Sequence, residues 1–226
     1  MTGVRPPSVT LLLRRLERAY GRRPWRTWGR PLDLLIGTIL SQNTTDRNSD
    51  AAFDRLRQVL PDWNAAAEAP LWKIAGAIRP AGLHRRKAAH IRAILRRLRQ
   101  ERGRADLDFL RRWPTDRVKE YLRALPGVGP KTAACVLLFS LKRPVLPVDT
   151  HVHRVSRRLG LIGPRVSAEK AHDLLAGRVP PEKVYALHVL LIHHGRRICH
   201  ARRPNHAACM LRDVCPSAQN SAAGGG

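Results

Sequence analysis

Acidic side chains are scarce in this chain. Its 226 residues carry 17 Asp and Glu against 42 Lys and Arg, a formal net charge of +25. That imbalance implies a polyanionic partner, with nucleic acid the leading candidate. A high arginine content can also follow from genome base bias, so charge by itself leaves function open. Long apolar runs are missing: no stretch of about eighteen such residues occurs, which excludes a hydrophobic membrane-spanning helix. Met1–Arg30 lacks the apolar core of a signal peptide, and a cytoplasmic, unanchored protein is expected. Strand signals are nearly absent, internal repeats are absent, and the expectation is an all-α fold. Hydrophobic residues still make up 43% of the chain, enough for a globular core. Cysteine is rare, four in all, and three of the four crowd near the C-terminus. That grouping suits metal or cluster ligation better than disulfides.

Helical periodicity accounts for most of the chain. Ser8–Tyr20 reads as a basic amphipathic helix, Leu32–Leu40 as a nearly all-apolar buried helix, and Thr45–Leu60 as a helix capped by Thr45. Between the last two lies the polar run Ser41-Gln42-Asn43-Thr44, which ordinary turn chemistry would explain. Leu71–Ile78 is a short helix stopped by Pro80-Ala81-Gly82. His84–Arg102 is a long one dense in arginine, a solvated face or a surface that tracks a phosphate backbone. Lys131–Leu141 is apolar almost all round and should be a central buried helix. Ser167–Ala176 and Pro181–Arg197 follow, and Gln219–Gly226 should be disordered.

One stretch organises the rest. Leu125-Pro126-Gly127-Val128-Gly129-Pro130-Lys131 reads as a helix stop, a tight turn and a helix start. Pro126 disfavours helical backbone at Leu125, Gly127 accepts positive φ, and Pro130 suits a first helical position. The turn has little side chain, so another backbone can come close, and amides at the helix start can seat a phosphate. Lys131 stands just inside that helix, where the helix end disfavours an ammonium and favours a nucleophilic free amine. Downstream, Val148-Asp149-Thr150-His151 puts a carboxylate before a further helix. Taken singly, such a lysine is usually a surface residue and such an aspartate an N-cap.

Together the two motifs resemble the signature of the endonuclease III branch of the helix-hairpin-helix DNA glycosylases, and the resemblance extends over about residues 32–216. It implies a two-domain helix-hairpin-helix glycosylase fold. One domain would span residues 33–143 and carry the hairpin; residues 1–32 and 144–218 would form the other, with a C-terminal iron–sulfur loop; 219–226 would be tail. Lys131 and Asp149 would be the catalytic pair, facing each other across a cleft. The activity implied is that of a bifunctional DNA glycosylase and abasic-site lyase of base excision repair, acting on oxidised pyrimidines by base flipping and Schiff-base chemistry. A mismatch uracil or thymine glycosylase on the same fold is the close alternative, and a non-enzymatic helix-hairpin-helix DNA-binding protein the distant one. The partner would be duplex DNA with a damaged base or abasic site, bound by a monomer associated with the nucleoid.

By the same resemblance Gln42 or Asn43, with Thr44, fills the gap left by an everted base, and Leu83 wedges into the opposite strand. His84, Arg85, His151 and Arg196 would contact DNA, as would the turn at Gly127, Val128 and Gly129, where a monovalent cation could bridge to phosphate. Ser41 and Asp46 would border the lesion pocket. The cysteines read Cys199-x6-His206-x2-Cys209-x5-Cys215, the family's iron–sulfur spacing with histidine at the second place. Three thiolates and one imidazole suit a 4Fe–4S cluster, since histidine ligates iron in other clusters. A Cys3His zinc site, or no metal, stands as the alternative.

Overall fold

A computed structural model of the protein describes residues 6–223, and among the described residues it is helical with no strand. The chain divides into two compact units: Thr27–Arg143, and the segments that precede and follow it. The first helix, α1 (Val9–Tyr20), belongs to the discontinuous unit. Ser8 caps it by accepting the Leu11 amide, and Leu12, Leu13 and Leu16 are buried on one face.

The central unit begins at Thr27, six residues before the boundary that resemblance suggests. The reason is local. The Trp28 amide donates to the Phe139 carbonyl, the Ser140 hydroxyl donates to the Gly29 carbonyl, and the Trp28 ring stacks on Phe139. Helix α2 (Pro31–Leu40) is buried nearly throughout, and α3 (Asp46–Val59) is capped by Thr45. Two short helices follow, α4 (Trp63–Glu68) and α5 (Leu71–Ala77), and both pack on the long α6 (His84–Arg102). The hairpin itself joins α7 (Thr115–Arg123) to α8 (Pro130–Cys135). The apolar helix expected through Leu141 continues from α8 as a π-turn over Val136–Ser140. That widened turn is buried on every side chain and lies beside α2.

The discontinuous unit adds α9 (Thr150–Arg158), α10 (Ala168–Ala176) and α11 (Val184–Arg197), with α11 packed on both α1 and α9. A last helix, α12 (Pro216–Ala223), corrects the expected disorder from Gln219. Proline suits its first position, and the Gln219 side chain donates to the Asp213 carbonyl. Residues 224–226 of the expected tail lie outside the described residues.

The arginines of α6 are less free than a solvated or DNA-tracking face would be. Arg96 donates to the Ala67 carbonyl, Arg97 to Glu101 and the Ala124 carbonyl, and Arg99 to Glu68. The Arg102 guanidinium lies 4.2 Å from the Phe109 ring centre. These residues brace neighbouring helices. Glu101 also accepts from the Tyr121 hydroxyl at 2.7 Å, which ties α6 to the first helix of the hairpin. Arg97 and then Tyr121 hold its carboxyl below the usual range. A carboxylate with a lowered folded pKa contributes stability that is complete above its unfolded pKa and disappears as pH falls through the folded one. Glu101→Gln should therefore flatten the acid side of the stability curve, read by thermal unfolding between about pH 6 and about pH 3.

Candidate active site and nucleic-acid interface

The turn between α7 and α8 is held from two sides. Gly127 has φ +74°, and a Cβ there would overlap the ring of His90 from α6. The Gln42 side chain donates to the Gly127 carbonyl at 3.0 Å and to the Thr132 hydroxyl at 3.3 Å. Of the turn amides, that of Val128 is used internally, donating to the Leu125 carbonyl, and the Val128 side chain is buried. Gly129 is exposed and caps α8 in extended conformation. Lys131 is the second residue of α8 and is half-buried.

Two further loops of this unit carry residues expected at DNA. Asn43 is exposed and left-handed, φ +54°. Gln42, the other candidate gap-filler, is engaged with the hairpin, so Asn43 is the one of the two that the loop presents. Thr44 accepts from the Asn48 side chain, Ser41 donates to the Thr38 carbonyl, and Asp46 lies exposed in the first turn of α3. Leu83 is also left-handed, φ +48°, and 49% exposed, unusual for a leucine on both counts. His84 and Arg85 open α6 directly after it. Lys87, four residues on, is buried, against the exposed cation that its arginine-rich neighbourhood suggests. Its ammonium donates to the carbonyls of Leu40, Gln42 and Ala81 at 2.7, 2.6 and 2.9 Å. Burial, then the charge of Arg86, lowers its pKa.

In the discontinuous unit, Asp149 is the N-cap of α9, one carboxylate oxygen accepting the Val152 amide at 2.7 Å. That bond fixes the rotamer and holds the carboxylate at the helix N-terminus. The segment leading to it is pinned by two histidines that the sequence reading did not single out. A ring nitrogen of His172 bonds the Leu146 carbonyl and one of His188 the Pro147 carbonyl, at 3.1 and 2.9 Å. His151 meets the Arg154 guanidinium, and Arg196 is exposed at the end of α11.

Cys199, His206, Cys209 and Cys215 line one small pocket, and so does His194, whose spacing gave no hint of it. The loop bearing them is tied down on several sides. Arg15 of α1 pairs with Asp213, and Arg158 of α9 donates to the Cys199 sulfur and to the carbonyls of His200 and Ala201. Tyr20 bonds His194 at Nδ1, and His194 Nε2 stands 3.7 Å from the Cys209 sulfur. Burial lowers the pKa of His194 to about 4. Among the described residues no three His, Cys, Asp or Glu side chains are disposed to share a single ion.

The profile of the HhH-GPD superfamily of base excision DNA repair proteins matches residues 36–181. An Arabidopsis thaliana protein named as a candidate DNA glycosylase is 41% identical over 189 residues, 82% of this chain and 64% of that protein. The chain thus spans just under two thirds of that relative. Endonuclease III of Sulfolobus acidocaldarius is 35% identical over 185 residues, 80% of this chain and 79% of the relative. Among solved structures, a trapped endonuclease III–DNA covalent intermediate superposes with a TM-score of 0.81 at 27% identity, covering 95% of this chain and 97% of the other.

The geometry of the turn yields a direct test. Gly127→Ala adds left-handed strain of about 1–2 kcal/mol and a collision with His90. Chemical denaturation should show that loss or more, and adding His90→Ala should recover only the steric part.

Proposed function

The chain belongs to the HhH-GPD superfamily of base excision DNA repair proteins, and from that premise we propose that it is a bifunctional DNA glycosylase and abasic-site lyase. The observation that carries the reading is one pairing of roles. Lys131, a half-buried residue bearing an amine, sits in the first turn of the helix behind a side-chain-poor turn, and a carboxylate, Asp149, is fixed by its own capping bond in the matching downstream motif. Relatives named endonuclease III and a structural counterpart trapped covalently on DNA support a covalent route.

The proposed reaction begins with eversion of a damaged base, cheaper to unstack than a sound one. The Lys131 amine attacks the anomeric carbon, and the glycosidic bond breaks with its electron pair leaving on the base. Asp149 takes the proton that the attacking amine gives up, or offsets the positive charge that develops on the sugar. Opening of the sugar ring leaves a Schiff base on Lys131. Removal of a proton from the adjacent carbon then expels the 3′ phosphate by β-elimination, and water releases the enzyme. Asn43 would occupy the vacated stack and Leu83 would part the opposite strand, as apolar wedges do. Gly129, with the start of α8 behind it, would seat a phosphate. Oxidised pyrimidines are the proposed substrate class. Lys131 argues against a mismatch uracil or thymine glycosylase, since such relatives often place an aromatic or hydroxyl residue there.

Borohydride trapping on abasic duplex decides between a lyase and a passive binder. Wild type should become covalently linked; Lys131→Ala should bind DNA but neither trap nor nick. Asp149→Asn should also bind and should lose base release by roughly a hundredfold or more. Nicking retained by Lys131→Ala would reassign the nucleophile, and no trapping by wild type would leave only DNA binding.

Cys199, Cys209, Cys215 and His206 are proposed to hold a 4Fe–4S cluster, which when bound would tie the C-terminal loop together. Arg158 already supports the Cys199 end of this loop, and Arg15 the Asp213 end. Protein purified without oxygen should carry iron and absorb in the visible. His206→Ala should lose iron and His206→Cys retain it; colourless wild type with one zinc would overturn the cluster.

A further inference from the structure

Lys87 is a buried cation with no carboxylate on any of its three hydrogen bonds. Only 2% of the residue is exposed. All the donors of an ammonium are thereby used, and every one ends on a backbone carbonyl. Burying a charge is costly even when its hydrogen bonds are made, and an apolar chain of similar length would fill the same space with less desolvation. What the ammonium adds is a three-way connection. Leu40 and Gln42 form the turn that leads directly into Asn43, and Ala81 lies two residues before Leu83.

Asn43 and Leu83 are two of the three non-glycine residues with positive φ among the described residues. Each such backbone costs about 1–2 kcal/mol and persists only where the surroundings over-determine it. Lys87 is placed to do that for both. Its ammonium holds the carbonyl just before Asn43 and the loop just before Leu83, while its own amide donates to the Leu83 carbonyl at 3.0 Å. Both loop tips are exposed, so no packing of their side chains accounts for the conformation. The side chain of Gln42 is committed to the hairpin as well, which links the same turn to Gly127.

We propose that Lys87 is a positioning residue that locks the Asn43 and Leu83 loops in one spacing, so that the two tips enter duplex DNA together when a nucleotide is everted. The inference rests on the glycosylase reading for what the tips do. Its consequence is that duplex engagement depends on Lys87, whereas chemistry at an abasic site in a single strand does not, because there is no opposite strand to part.

The test compares wild type with Lys87→Met, which keeps chain length and removes the donors. The first readout needs no catalysis: a fluorescent adenine analogue placed opposite a stable abasic analogue brightens when the tips unstack it. Lys87→Met should lose most of that signal and should release damaged bases from duplex roughly tenfold to a hundredfold more slowly. Borohydride trapping on single-stranded abasic DNA should stay within about twofold of wild type. An unchanged fluorescence signal overturns the proposal, and an equal loss on single-stranded and duplex DNA assigns Lys87 a merely structural role. Should Lys87→Met fold poorly, a double-mutant cycle of Asn43→Ala and Leu83→Ala with Lys87 intact decides, by the same fluorescence signal. Locked tips should give a combined effect that departs at least threefold from the product of the single effects; independent effects overturn the locking. A wild type that brightens the probe yet never traps abasic DNA removes the lyase reading and leaves the locking of the loops standing.

Discussion

The place of Lys131 in the central unit depends on one tight backbone turn at Gly127. The turn needs a left-handed residue, and it has a histidine ring on one side where a Cβ would go. Only glycine meets both conditions at no cost. Because the turn is that tight, Gly129 and Pro130 can start α8 immediately, which puts Lys131 in the first turn of a helix buried from Thr132 to Cys135. The side chain of Gln42 then bonds the carbonyl of the same glycine, so a second loop takes its position from the first. A chain of backbone constraints, more than any side-chain lock, thus places the amine.

Much of this was legible because glycine and proline mark boundaries plainly. The stop at Pro126 and start at Pro130, the cap at Thr45 and the cap at Asp149 all stand where local chemistry puts them. Three things were not legible, each for a physical reason. Lys87 looks like one more cation in a basic run, and only the fold shows that its position on α6 faces carbonyls rather than water. Val136–Phe139 is apolar all round, and a uniform pattern carries no phase to distinguish a π-turn from an α-helix. The short α4, between Asp62 and Pro70, spans six residues, too few to show a helical period.

The candidate site divides along the same line. Lys131 and Asp149 are recognisable from motif, but what steadies them is distant in sequence. His172 and His188 bind the carbonyls ahead of Asp149 from two helices beyond it, and no local spacing announces such contacts. The cysteine loop behaves likewise. Its Cys and His spacing is visible, whereas the approach of His194 on α11 to Cys209 is not. The arginines of α6 show a further use that composition does not reveal. Their number suggests a surface devoted to phosphate, yet several on α6 are spent within the protein on carbonyls, carboxylates and aromatic rings.

The junction of α1 with the C-terminal loop has a consequence for how the protein is made. Arg15 reaches Asp213 and Tyr20 reaches His194, so one unit is assembled from segments separated by the whole of the other. On the ribosome the contiguous unit can complete itself as soon as Arg143 has emerged. The first helix, with its leucine face, must wait until α11 has been made, and its Arg15 until synthesis has passed residue 213. Closure of so long a loop makes the discontinuous unit the slower of the two to form.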